Sequence, residues 1–140
     1  MKAGRELNSQ SKLMSKPVVS PKKILIVDDE PFVCDAVKMM LEFDGHQVET
    51  ALSGKEALEK FEASKYDLVI TDYSMPAMRG DELASNIKAH TPAQPVVLIT
   101  AYAEMLKAAG EPLKDVDFLI SKPFLLENLR EAIIKATGSQ

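Results

Sequence analysis

Five short runs of strand-forming apolar residues punctuate the chain, and segments with helical spacing separate them. Lys23-Ile-Leu-Ile-Val27 has no polar alternation, as suits a parallel strand covered on both faces. From Pro31 to Phe43, the residues Phe32, Val33, Ala36, Val37, Met40 and Leu41 recur at helical spacing, and Asp44-Gly45 ends that helix. Gln47 to Ala51 is a second strand, more polar and therefore expected at an edge. Ser53-Gly-Lys-Glu56 has the form of a capping box and opens a helix to about Ala63. Strands are expected at Asp67–Thr71, Pro95–Thr100 and Asp117–Ser121. Helices are expected at Asp81–His90 and Leu125–Ala136, the last closed by Gly138. Ala103 to Ala109 reads as a short fourth helix, interrupted by Gly110 and Pro112.

Strands that alternate with helices predict an α/β fold, a parallel sheet with helices on both faces and right-handed crossovers. The regular pattern covers residues 21–138 as one domain. Residues 1–20 form a basic tail, expected to be mobile. In that tail four cations outweigh Glu6 to give +3, so a net charge of −4 leaves −7 on the rest. An acidic body offers no electrostatic support for direct nucleic-acid binding. No apolar run is long enough for a membrane helix, and the N-terminus lacks the apolar region of a secretory signal. A single cysteine, Cys34, excludes an intramolecular disulfide and a cysteine-based zinc site. These features point to the cytoplasm. Cys34, His46 and His90 read as structural residues, and Lys22-Lys23 as a solvated strand entrance.

In an open parallel sheet, ligands bind outside the carboxyl ends of the strands. Strand one ends in Asp28-Asp29-Glu30, strand three in Asp72, strand four in Thr100-Ala101 and strand five in Lys122-Pro123. Asp28, Asp29 and Asp72 bring three negative charges against one from Lys122. Such a cluster either keeps a proton or binds a cation. An oxygen-only donor set selects a hard ion, Mg²⁺ or Mn²⁺. A cation held this way leaves a place for a phosphate oxygen, with an aspartate as the candidate nucleophile.

The motifs Ile24-Leu-Ile-Val-Asp-Asp-Glu30, Asp72-Tyr-Ser-Met-Pro-Ala-Met-Arg-Gly80, Thr100-Ala101 and Lys122-Pro-Phe124 occur in this order. With them the chain resembles a receiver domain of the two-component response-regulator family. The resemblance implies a flavodoxin-like sheet of strand order 2-1-3-4-5. It also implies that Asp72 accepts a phosphoryl group from a histidine of a sensor kinase or phosphotransfer protein. Mg²⁺ ligands would be Asp29, Asp72 and the backbone carbonyl of Ser74, with Asp28 acting largely through water. Thr100 would move toward the phosphoryl group, Lys122 would pair with it, and Pro76 and Gly80 would shape the loop after Asp72. Ala101 and Tyr102 follow Thr100 at the mouth, where Tyr102 and Ser74 would influence the phosphoryl lifetime. A downstream protein effector would read the state. The chemistry would be confined to the protein's own phosphorylation and dephosphorylation.

Leu119 departs from this pattern. Receivers commonly carry Tyr or Phe there, and alternation aims the neighbouring Phe118 at the opposite face. Gly110 and Pro112 also disturb the fourth helix, part of a common output surface. The chain ends after its fifth helix, so a stand-alone receiver, a relay intermediate and a piece of a longer protein all fit. Two rival functions stand beside this reading. A receiver-like interaction domain that ignores phosphorylation fits the substituted position 119. A Mg²⁺-dependent phosphohydrolase with Asp72 as nucleophile would need a D-x-D motif there, where the chain has Asp72-Tyr-Ser74, and usually a substrate cap, which is also missing from the pattern.

Overall fold

The computed structural model describes residues 20–109 and 113–138. Five strands and five helices alternate within them: β1 (Lys23–Val27), α1 (Pro31–Phe43), β2 (Gln47–Ala51), α2 (Gly54–Ala63), β3 (Leu68–Asp72), α3 (Gly80–His90), β4 (Val96–Thr100), α4 (Ala103–Ala109), β5 (Phe118–Ser121) and α5 (Leu126–Thr137). All pairings are parallel, in the order β2-β1-β3-β4-β5. This is the expected flavodoxin-like sheet, with the polar β2 at one edge. The tail, Gly110 and Pro112 lie outside the described residues, save Ser20.

Alternation along each strand divides the core in two. Ile24 and Ile26 point to one side, where they pack with Val37 and Leu41 of α1 and Leu129 and Ile133 of α5. Leu25 and Val27 point to the other, against Ala57 of α2 and Leu83 and Ile87 of α3. Every residue of β3 and β4 is buried, which explains their unbroken apolar runs. On β5, Phe118 and Ile120 join the side of α1 and α5. Leu119, between them, faces the other way, as the alternation predicts.

The strand boundaries differ from expectation for a consistent reason. Asp67 and Asp117 precede their strands and act as caps for neighbours. Asp67 Oδ2 accepts the Lys23 N–H at 2.8 Å, and Asp117 Oδ2 accepts the Val96 N–H at 2.8 Å. Pro95, expected in β4, lies before it, and β3 extends to Asp72, which pairs with Ile99. In α2 the expected cap is present, with Glu56 N–H donating to Ser53 Oγ at 3.1 Å. The Glu56 carboxylate reaches one residue further back than a capping box requires, to the Leu52 N–H at 2.8 Å.

Two polar contacts tie helices and loops to this frame. Asp44, at the end of α1, accepts two 2.8 Å hydrogen bonds from Arg130 Nε and Nη2 on α5. Buried His46 accepts the Lys22 N–H on Nδ1 at 3.0 Å. Lys23 corrects the expectation of a solvated entrance. Its ammonium donates to Ser64 Oγ at 2.5 Å and stands 5.2 Å from the centre of the Tyr66 ring.

The Asp44 side chain is 1% exposed and that of Arg130 31%, so only the arginine can regain water when the pair is broken. Arg130→Met should therefore cost about 3–5 kcal/mol by stranding a buried carboxylate. Asp44→Asn should cost about 1–2 kcal/mol in the same denaturant titration. Burial lowers the pKa of His46; nearby Asp44 opposes this and Lys22 adds to it. The unfolded chain therefore takes up a proton first, so the His46 contribution to stability is complete above about pH 6.5 and declines below it. His46→Asn, which keeps an acceptor, should flatten that part of the pH dependence of thermal unfolding.

Candidate functional site

The pattern that builds the sheet also delivers the polar residues to one rim. Beyond β1, β3 and β5 the backbone continues the ladder: Asp28 N–H donates to Ala51 O at 3.1 Å, Tyr73 N–H to Ile99 O at 2.9 Å and Lys122 N–H to Thr100 O at 2.9 Å. The side chains at these ends are therefore held by the sheet itself. Asp28, Asp29 and Asp72 each present a carboxylate oxygen, and these atoms lie within 4.8 Å of one another. Asp28 and Asp72 are buried and Asp29 is exposed. Lys122 Nζ sits 2.8 Å from Asp72 Oδ1. A pocket of about 240 Å³ opens here, lined by Asp28, Asp29, Glu30, Asp72, Ser74, Ala101, Tyr102 and Lys122.

Burial pushes the Asp28 carboxyl up to about 6. The Glu30 N–H on Asp28 Oδ1 at 2.9 Å and the Lys122 charge oppose this, while the Asp72 and Asp29 charges add to it. Burial would lower Lys122, but its hydrogen bond to Asp72 and the charges of Asp72, Asp28 and Glu30 prevail and raise it. The ammonium stays charged throughout the physiological range. The cluster is thus short of positive charge, and its donors are all oxygen. Both facts fit a hard divalent cation. Among the described residues it is the only group of three or more His, Cys, Asp and Glu side chains placed to hold an ion.

Thr100 ends β4 and is 1% exposed. Its Oγ1 accepts the Tyr102 N–H at 2.9 Å, which leaves the hydroxyl proton free to donate. Tyr102 is half exposed over the mouth. Leu119 does not line the pocket, and Pro76 lies outside it on the exposed loop. Glu30 does line it and had no assigned role; its place in Asp-Asp-Glu at the end of a strand was the available signal. Cys34 is structural: its buried thiol lies 3.4 Å from Asp28 O, and burial, reinforced by the Asp28 charge, pushes its pKa up to about 11.

The loop from Tyr73 to Arg79 closes tightly on Asp72. Gly80 N–H donates to Tyr73 O at 2.9 Å. A Cβ at position 80 would overlap the Asp72 carbonyl oxygen and approach Leu98 Cδ1 to 2.6 Å. Gly80→Ala should therefore shift the end of β3 and destabilise the fold by about 1–3 kcal/mol or more in chemical denaturation.

Residues 24–134 match the family model described as response regulator receiver domain. The transcriptional regulatory protein ZraR of Escherichia coli K12 is 39% identical over 115 residues, 81% of this chain and 26% of that protein. TrcR of Mycobacterium tuberculosis is 33% identical over 110 residues, 79% of this chain and 43% of that protein. The chain thus spans less than half the length of these relatives. The crystal structure of response regulator TrrA from Thermotoga maritima, in complex with Mg²⁺-BeF, superposes with a TM-score of 0.76 at 36% identity. It covers 82% of this chain and 98% of that one. The matched span contains every strand end that forms the acidic rim, and the chain belongs to the response regulator receiver domain family.

Proposed function

We propose that Asp72 accepts a phosphoryl group from a phosphohistidine on a sensor histidine kinase or a histidine phosphotransfer protein. The observation that carries this is three carboxylates within 4.8 Å of one another, with one ammonium 2.8 Å from Asp72. Asp28, Asp29, Asp72 and the Ser74 backbone carbonyl would hold Mg²⁺ or Mn²⁺. The bound ion supplies charge neutralisation and a fixed place for a phosphoryl oxygen. A carboxylate oxygen of Asp72 attacks phosphorus, the phosphorus–nitrogen bond breaks and the imidazole leaves with its electron pair. Lys122 compensates the charge carried over by the phosphoryl group. Such a reaction depends on position and electrostatics more than on covalent machinery. It is a signalling reaction at one aspartate rather than turnover of a free substrate.

The Thr100 hydroxyl stands one residue beyond Ile99, the partner of Asp72 in the β3–β4 ladder, and keeps a proton to donate to a phosphoryl group on Asp72. Its move would break the bond to Tyr102 N–H and release the Ala101–Tyr102 segment that leads into α4. Leu119 has no ring to follow it, so the readout rests on Thr100 and that segment. A protein effector would read the new conformer through a population shift. The acidic body argues against this domain touching nucleic acid itself, although its relatives ZraR and TrcR are named transcriptional regulators. Among the described residues no helix is long and apolar enough to cross a membrane. A cytoplasmic partner and location follow from this reading.

Incubation with acetyl phosphate and Mg²⁺, followed by intact mass measurement, should show one phosphoryl adduct on the wild type and none on Asp72→Asn. An adduct of equal yield on the variant would remove Asp72 as acceptor.

A further inference from the structure

The loop that carries Ser74 is braced from outside the pocket. Ala77 has φ 68°, and Met78 N–H donates to Pro76 O at 2.7 Å, so the chain makes a three-residue turn centred on a non-glycine residue in the left-handed region. Such a turn is rare and strained, and persists only where the surroundings hold it. The holding contact is visible. The Met78 side chain packs against the core cluster between the sheet and α2 and α3. Its sulfur lies where a Cβ on Gly54, the first residue of α2, would approach to 2.5 Å, and its Cβ and Cγ would lie 3.0 Å from that atom. The missing side chain of Gly54 is the notch into which Met78 fits. Asn86 Nδ2 on α3 contacts the same sulfur at 3.8 Å.

We propose that Met78, seated in the notch at Gly54, is a positioning residue for the cation pocket: it holds the strained turn at Ala77 and through it the loop that presents Ser74. The inference rests on the assignment of the Ser74 carbonyl as a cation ligand. Neither Met78 nor Gly54 lines the pocket, so their effect reaches it through the backbone.

The test is calorimetric titration of the full chain with Mg²⁺, with thermal unfolding recorded alongside. Met78→Ala should weaken Mg²⁺ binding about fivefold or more, because the turn is no longer held in its strained conformation. In an Ala77→Gly background, where positive φ carries no penalty, the same change should weaken binding by less than about twofold. Met78→Leu, of similar volume, should stay close to wild type. Gly54→Ala fills the notch and should reproduce the loss seen with Met78→Ala, which covers the case where that variant fails to fold. Loss of packing alone would lower the unfolding temperature to the same extent in both backgrounds and leave Mg²⁺ affinity unchanged. That result, in either folded variant, overturns the inference while the wild type still binds Mg²⁺. A wild type that binds no Mg²⁺ overturns the cation site itself, and the inference with it.

Discussion

Mutual repulsion among Asp28, Asp29 and Asp72 is the constraint to which the rest of the molecule answers. Two like charges 4.8 Å apart at an effective dielectric near 20 repel by roughly 3–4 kcal/mol. One ammonium, on Lys122, offsets only part of this, and burial, with the Asp72 and Asp29 charges adding to it, pushes the Asp28 carboxyl up to about 6. A chain left free would simply let these groups separate. The arrangement persists because the backbones of Asp28 and Asp72 are tied into the sheet ladder, and Asp29 directly follows Asp28.

That rigidity comes from the sheet. The central strands are covered on both faces, and the ladders of β1, β3 and β5 continue one residue past the strand into the rim. Asp67 and Asp117 close the opposite end by capping adjacent strands. Asp44 and Arg130 tie α1, which starts at the acidic rim, to α5, which follows Lys122. Stability and chemistry are therefore separated in space. Apolar packing supplies the first along both faces of the sheet, and the polar rim concentrates the second at one edge.

The apolar side of this design was legible from the chain alone. Runs such as Val96–Thr100 admit little besides a buried strand, and the spacing in Pro31–Phe43 gave α1 to the residue. The rim was legible too, because Asp28, Asp29, Asp72, Thr100 and Lys122 all stand at or just beyond a strand's carboxyl end, where burial alone calls for no such residue. The order of the strands came with the family resemblance, since periodicity says which residues face the core but not which strands adjoin. Strand entrances were misplaced where an aspartate at a boundary caps a neighbour rather than extending its own strand. Lys23 reads as solvated in the sequence because its partners, Ser64 and Tyr66, lie some forty residues away.

Residue type and order thus determined the alternating elements, the two buried faces and the chemical character of one rim. These depend on local periodicity and on the rule that strand ends carry the site. Only the tertiary structure decided that three carboxylate oxygens meet within 4.8 Å, that Leu119 stays away from the pocket and that Met78 of the loop after β3 packs where a Cβ on Gly54 of α2 would stand. Each of these is a distance between segments far apart in the chain, set by how whole elements pack, and no short-range pattern records it.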